Sequence, residues 1–382
     1  MDIFAIAPDS FKGAISAEGA ARAIAEGLSA SFPKAEFRLI PMADGGEGTV
    51  DAWAASTAAT RIRATVRDPL GRPVKAEYAF EATSRTAVIE MAAASGLPLL
   101  VPGERNPLAT STYGTGELVR DALDHGARHI ILGIGGSATN DGGAGLASAL
   151  GVRLLDAKGR ELTPGGAALA RLAEIDLSDL DPRIAKTRFE AACDVTNPLC
   201  GPSGASAVYG PQKGASQKDV GTLDAALRHL AEVAASTPGI AKRASPETPG
   251  AGAAGGLGFG LLAFCGARLR SGVKIIAESV GLRERLAGCD LVITGEGRLD
   301  AQTMNGKTPA GVAQAARRAG VPCIAICGCV GEGYEAVHKI GIEAVVPVAH
   351  GYFDPDDPSK GAVARIRACA AETGRLLALR RP

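Results

Sequence analysis

The feature that most constrains this chain is a regular exchange of short β-rich runs with Ala-rich segments of helical period. Ile3–Pro8 leads into a helical pattern over Ala17–Ser29, residues 36–41 into 48–56, and 129–134 into 143–150. The same exchange returns near the end, with runs at 290–294, 322–327 and 343–348, a helix expected over 309–319 and a closing helix from Lys360. Strands that alternate with helices pair in parallel and carry the helices on their faces, so the spacing predicts an α/β fold. The middle differs in kind: residues 61–66 and 74–80 alternate apolar with polar around Asp68-Pro69-Leu70-Gly71-Arg72-Pro73, which reads as an antiparallel hairpin. A single core stops growing near ~250–300 residues, and the chain has 382. Two α/β domains are therefore expected: a Rossmann-like parallel-sheet domain built from both chain ends (1–61 and 272–382) and an inserted mixed α/β domain (62–271), with the active site in the cleft between them. Residues 236–256, rich in Pro, Gly, Ala and Ser, read as a loop or hinge.

Composition narrows the partners. Lys plus Arg and Asp plus Glu both number 41, and nine Phe, five Tyr and one Trp offer no stacking platform, so nucleic acid is not expected and a small molecule is. Eight cysteines contain no Cys-x-x-Cys pair, and Cys323, Cys327 and Cys329 lie in a Val/Ile-rich run, where buried thiols act as small hydrophobes rather than zinc ligands. The N-terminus lacks a basic region and a signal-like apolar core, and no stretch approaches the ~18 apolar residues of a membrane span. A cytoplasmic enzyme without a membrane partner follows. The sequence leaves open whether it works as a homodimer.

In parallel α/β folds ligands gather at the carboxyl ends of strands, where loops converge and helix N-termini present unsatisfied N–H groups. Five such loops are rich in polar residues: Asp9-Ser10-Phe11-Lys12-Gly13, Asp44-Gly45-Gly46-Glu47-Gly48, the run from Gly135 to Gly143, Asp194-Val195-Thr196-Asn197-Pro198-Leu199, and Gly295-Glu296-Gly297-Arg298-Leu299-Asp300. In the third, Gly135 and Gly136 let backbone amides approach a ligand, while Ser137, Thr139, Asn140 and Asp141 add polar side chains, a set that suits the phosphates of ATP. The competing reading is a dinucleotide fingerprint: residues 133–138 match G-x-G-x-x-A, and Asp156 falls near the spacing of a ribose-binding acid, which would make the chain an oxidoreductase. Gly306-Lys307-Thr308 completes the second half of a Walker A loop, but residue 301 is Ala where the first glycine is required. Lys307 is kept as a phosphate cation, with an exposed helix-start lysine as the alternative.

Asp44, Glu47, Asp194, Glu296 and Asp300 are carboxylates lodged beside glycines at expected strand ends, and each alone reads equally as an N-cap or turn residue. Together with Lys12 and Arg298 they supply what phosphoryl transfer to an alcohol needs: oxygen ligands for Mg²⁺, cations for the transferring group, and a carboxylate to take the hydroxyl proton. Of the five histidines only His350 follows an expected strand, and no Ser-His-Asp pattern is present.

At this point the residues resemble a family, the type-1 glycerate kinases. The first two loops, the run Gly136–Gly143, the Asp194 loop, Gly255-Gly256-Leu257-Gly258 and Gly295-Glu296-Gly297-Arg298-Leu299-Asp300 are similar to its signature blocks, in its order and over essentially the whole chain. The resemblance implies ATP-dependent, Mg²⁺-assisted phosphorylation of D-glycerate to 2-phosphoglycerate in two α/β domains. The chemistry of the loops then suggests Asp194 as the base and Lys12 as the catalytic cation. Ser10 and Arg298 are expected at the substrate, Asp44 and Glu47 at the substrate hydroxyls or the metal, and Glu296 and Asp300 at the metal or its waters. A glycerate-binding regulator without catalysis is the non-enzymatic alternative, although nothing in the sequence resembles an attached output domain.

Overall fold

The computed structural model describes residues 2–348, 357 and 359–379. The chain opens with β1 (Ile3–Pro8), α1 (Ala17–Ser29), β2 (Glu36–Leu39) and α2 (Thr49–Ser56). The middle runs through β3 (Thr60–Arg67), β4 (Pro73–Glu81), β5 (Thr86–Glu90), α3 (Ala92–Ser95), α4 (Tyr113–Asp124), β6 (His129–Gly133), α5 (Ala144–Ala149), β7 (Arg153–Asp156), β8 (Leu172–Asp176), β9 (Arg188–Ala192), α6 (Ala205–Tyr209), α7 (Gln217–Ser236), α8 (Ala253–Cys265) and β10 (Arg268–Arg270). It closes with α9 (Gly272–Ser279), α10 (Leu282–Leu286), β11 (Leu291–Gly295), β12 (Arg298–Leu299), α11 (Thr308–Ala319), β13 (Cys323–Cys327), β14 (Cys329–Val330), β15 (Ile342–Pro347) and α12 (Ala362–Ala378).

These elements form two compact units, residues 1–44, 51–58 and 271–382 in one, and 45–50 with 59–270 in the other. Residues 45–50 join the second unit for two local reasons. The Val50 N–H donates to the Glu90 carboxylate at 2.8 Å. A Cβ on Gly133 would stand 2.4 Å from the Gly45 carbonyl, so glycine is what lets the two backbones meet.

The first unit is built on a five-stranded sheet of order β15-β13-β11-β1-β2, parallel throughout. Its central strands β11 and β13 are buried along their whole length, which is why they read as continuous apolar runs rather than alternating ones. Cys323 and Cys327 are part of that buried surface and behave as small hydrophobes. Helix α1 starts where the Ser16 hydroxyl accepts from the Gly19 N–H, and it turns Ala17, Ala20, Ala21, Ile24 and Leu28 inward at helical spacing. α12 answers with Ala362, Ile366, Cys369 and Ala370, and a core of Phe4, Ile6, Ile24, Ile293, Ile326 and Ile366 forms beneath them.

The second unit is a mixed sheet of order β10-β9-β6-β5-β4-β3, in which β3, β4 and β5 are antiparallel and β5, β6, β9 and β10 parallel. The β3–β4 turn is held by Asp68, whose carboxylate accepts from the backbone N–H groups of Leu70 and Arg72 and from the Arg72 guanidinium. Two features are absent from the sequence reading: the short parallel ribbon β12–β14 and the separate antiparallel pair β7–β8.

Candidate active site

Within the first unit a cavity of about 740 Å³ opens at the carboxyl ends of the parallel strands. Asp9, Ser10 and Lys12 reach it from the loop after β1, and Asp44 from the segment after β2. Glu296 and Arg298 follow β11, and Lys307 precedes α11. The structure thus brings six of the expected residues, Ser10, Lys12, Asp44, Glu296, Arg298 and Lys307, to one cavity. Asp300 stands beside them, 3.4 Å from the Arg298 Nε and 3.8 Å from the Lys307 Nζ. Its side chain also caps the turn that follows, accepting from the Gln302 N–H.

The cavity's electrostatics are set by crowded carboxylates. Asp9 is buried, and burial first, then Asp44, pushes its carboxyl up to about 6, against the pull of hydrogen bonds from the Thr308 hydroxyl and the Ser10 N–H. Burial likewise raises Glu296 to about 7, opposed by the Thr303 hydroxyl and Lys307 and reinforced by Asp9 and Asp44. Asp9 and Thr308 carried no role in the sequence reading. The available signal was an acid placed directly after a fully apolar strand.

Among the described residues no group of three or more His, Cys, Asp or Glu is set to hold a metal ion by itself. Glu296 and Asp300 nevertheless lie close together, each pairing with the same Lys307 Nζ at 3.8 Å. An oxygen-only pair that completes its shell from phosphates and water is the arrangement Mg²⁺ takes in phosphoryl-transfer sites, so these residues fit that ion.

The glycine-rich loop after β6 is organised differently from the expected ATP cradle. Gly135 and Gly136 are exposed, but Ser137, Thr139, Asn140 and Asp141 are buried. Asp141 accepts from the N–H groups of Thr112, Gly143 and Gly145 and from the Thr112 hydroxyl. Asn140 donates to the Ser206 hydroxyl at 2.9 Å. Lys213, itself buried and pushed down to about 7 by burial, donates to Ser137 Oγ at 2.6 Å and to the Thr139 carbonyl at 2.7 Å. Ser137, Asn140 and Asp141 thus turn inward and knit the loop to its own unit, while the Thr139 hydroxyl is buried without a hydrogen-bond partner. Lys213, a lysine before a glycine in a short turn, gave no sequence signal of this role.

The dinucleotide reading of the same loop fails on topology. Asp156 ends β7, which pairs antiparallel with β8 instead of joining the β6 sheet, and its carboxylate is taken by the Lys158 and Arg160 N–H groups and the Arg160 guanidinium. Asp194 lies exposed at the end of β9, and Glu47 is exposed in the 45–50 segment of the same unit. Four histidines have structural partners: His125 meets Tyr78, His129 meets Glu190, and His229 and His338 meet backbone carbonyls. His350 lies outside the described residues.

A model described as the glycerate kinase family matches residues 4–378. A glycerate kinase of Halalkalibacterium halodurans is 53% identical over 344 residues, 90% of this chain and 90% of that one. A glycerate 2-kinase of Escherichia coli K12 is 46% identical over 374 residues, 98% and 97% of the two chains. A crystal structure from Salmonella typhimurium LT2, assigned as a glycerate kinase 2, superposes with a TM-score of 0.90 at 46% identity and covers 98% of each chain.

Proposed function

The chain belongs to the glycerate kinase family, and from that premise we propose how its residues carry the reaction, transfer of the γ-phosphoryl group of ATP to D-glycerate to give 2-phosphoglycerate and ADP. The observation that supports the assignment of parts is the charged lining of the first unit's cavity, where Lys12, Arg298 and Lys307 stand with Asp9, Asp44 and Glu296. Phosphoryl transfer offers little covalent chemistry for a protein to do, so positioning and charge stabilisation are what such a cluster supplies.

In this reading Lys12 and Lys307 offset charge on the transferring phosphoryl group as point charges. The Arg298 guanidinium grips the planar glycerate carboxylate through two parallel N–H donors. Ser10, Asp44 and Glu47 hydrogen-bond the glycerate hydroxyls and select the attacking one. Asp194 accepts the proton of that hydroxyl as its oxygen attacks the phosphorus in line. Glu296 and Asp300 would hold Mg²⁺, which would supply positive charge against the phosphate oxygens.

The cytoplasm is the compartment this reading implies. All eight cysteines are free thiols, and no described helix is long and apolar enough to cross a membrane.

The test is ADP release from Mg-ATP with and without D-glycerate, coupled to phosphorus NMR of the product. Glycerate-dependent release with the phosphate on the 2-oxygen is the expected result. Release at the acceptor-free rate would sink the kinase assignment, and phosphate on the 3-oxygen would sink the regiochemistry alone.

A further inference from the structure

We infer that the cavity of the first unit is the adenine-nucleotide site, with the base against its apolar wall and the phosphates directed toward Lys12 and Lys307. The inference rests on the ATP-dependent kinase reading and moves the nucleotide away from the 133–143 loop.

β1 and β11 are neighbours, yet the chain leaves them for opposite sides of the sheet: β2 lies beyond β1, while β13 and β15 lie beyond β11. Where the direction of winding reverses, the loops at the carboxyl ends separate and leave a crevice, and nucleotides bind in such crevices of open parallel sheets. The cavity sits at that reversal, since Asp9 follows β1, Glu296 follows β11, Gly328 follows β13 and Val348 follows β15.

A volume of about 740 Å³ falls in the ~300–1,000 Å³ range of sites that engulf a nucleotide-sized ligand. Glycerate, a three-carbon acid, would leave most of it empty. Besides the charged residues already described, the cavity is lined by Phe11, Ala14, Val330, Val348, Ala362 and Ile366, with Arg365 among the last of these. Neither glycerate nor a phosphate has an apolar face for that wall. A purine does, and it is joined by a ribose to the phosphates that the cationic side chains require.

In the competing loop after β6 the Ser137, Thr139, Asn140 and Asp141 side chains are buried, and three of them are engaged within the unit: the Ser137 hydroxyl accepts from Lys213, the Asn140 amide donates to Ser206, and the Asp141 carboxylate accepts from Thr112, Gly143 and Gly145, while the Thr139 hydroxyl is buried without a hydrogen-bond partner.

The experiment is photolabelling of the full-length chain with 8-azido-ATP, followed by peptide mapping. Labelling expected to be competed by ATP falls on peptides containing residues 11–14, 328–330 or 362–366. Specific labelling on residues 133–143, or on any other segment of the 59–270 stretch, overturns the site while leaving glycerate-dependent ADP release intact. Loss of that release in the unlabelled protein would instead remove the kinase reading and this inference with it. A second measurement uses Val330→Trp, since Val330 is 39% exposed and its replacement can fill the wall without opening the core. The KM for ATP should rise about tenfold with the KM for D-glycerate unchanged. An unchanged KM for ATP overturns the proposal, because the enlarged side chain would then stand outside the nucleotide's path.

Discussion

At the scale of single residues, two carboxylates carry opposite kinds of prediction. Asp194 is exposed two residues beyond the end of β9, and in the proposed reaction it is the group that accepts the hydroxyl proton as attack proceeds. General-base removal costs ~10²–10⁴-fold; Asp194→Asn should therefore lower kcat by at least about a hundredfold while the KM for ATP holds. Steady-state kinetics returning a kcat near wild type would assign the base elsewhere. Glu190 is the structural counterpart. Burial pushes its carboxyl up, but Arg270 and Arg188 and then His129 outweigh that and hold it at about 2 instead of the ordinary 4.5. A folded pKa below the unfolded one means the stabilisation is fully present above pH 4.5 and is lost as pH falls toward 2; at ~1.4 kcal/mol per unit it amounts to about 3 kcal/mol. Glu190→Gln should lower the urea midpoint at pH 7, and its deficit against wild type should shrink between pH 4.5 and 2. A deficit independent of pH would show that the ion cluster is not its source. Asp194 could be singled out in the sequence because it opens a polar loop at an expected strand end. Glu190 could not, because its three partners come from positions 129, 188 and 270.

At the scale of elements, the entry to α8 shows why glycine-rich blocks mislead. Ala254, Gly255 and Gly256 all adopt left-handed backbone angles, with φ of 54°, 69° and 86°. The bend carries the Gly255 carbonyl to the Gly142 N–H at 3.0 Å. A Cβ on Gly255 would stand 2.0 Å from the Thr139 carbonyl oxygen. The block at 255–258 and the block at 136–143 therefore contain glycines partly because their backbones lie against one another, a requirement indistinguishable in sequence from close approach to a phosphate. Gly255→Ala should cost at least about 3 kcal/mol through clash and strain. Ala254→Gly, which relieves a left-handed alanine but loosens the unfolded chain, should stay within about 1 kcal/mol of wild type. Chemical denaturation of the two variants checks both, and equal midpoints would dismiss the packing explanation. The strands, by contrast, were readable because β1, β11 and β13 are buried on both faces and so appear as unbroken apolar runs. The β12–β14 ribbon has two residues in each strand, too few to show any period.

At the scale of the molecule, the two units differ in how the chain completes them. The second has one large core of its own, including Tyr78, Ile89, Leu132, Phe189, Leu227 and Phe264, and all but six of its residues lie in the uninterrupted stretch 59–270. The first closes only when β11 pairs with β1, and its sheet then adds β13 and β15 from the far end of the sequence. Similar strand–helix patterns at the two chain ends make this division legible in outline, because non-local parallel pairing leaves no local mark except matching apolar runs. We therefore predict that a fragment spanning residues 45–270 folds alone and unfolds cooperatively in urea, followed by circular dichroism, whereas residues 1–58 alone stay unfolded for want of β11. A ligand that binds the folded state raises stability by mass action. Mg-ATP should accordingly shift the unfolding midpoint of the intact chain and leave that of the 45–270 fragment unmoved. A shift in the fragment would put the nucleotide on the loops after β6 and β9, and would return the exposed Gly135 and Gly136 to the role the sequence first suggested for them.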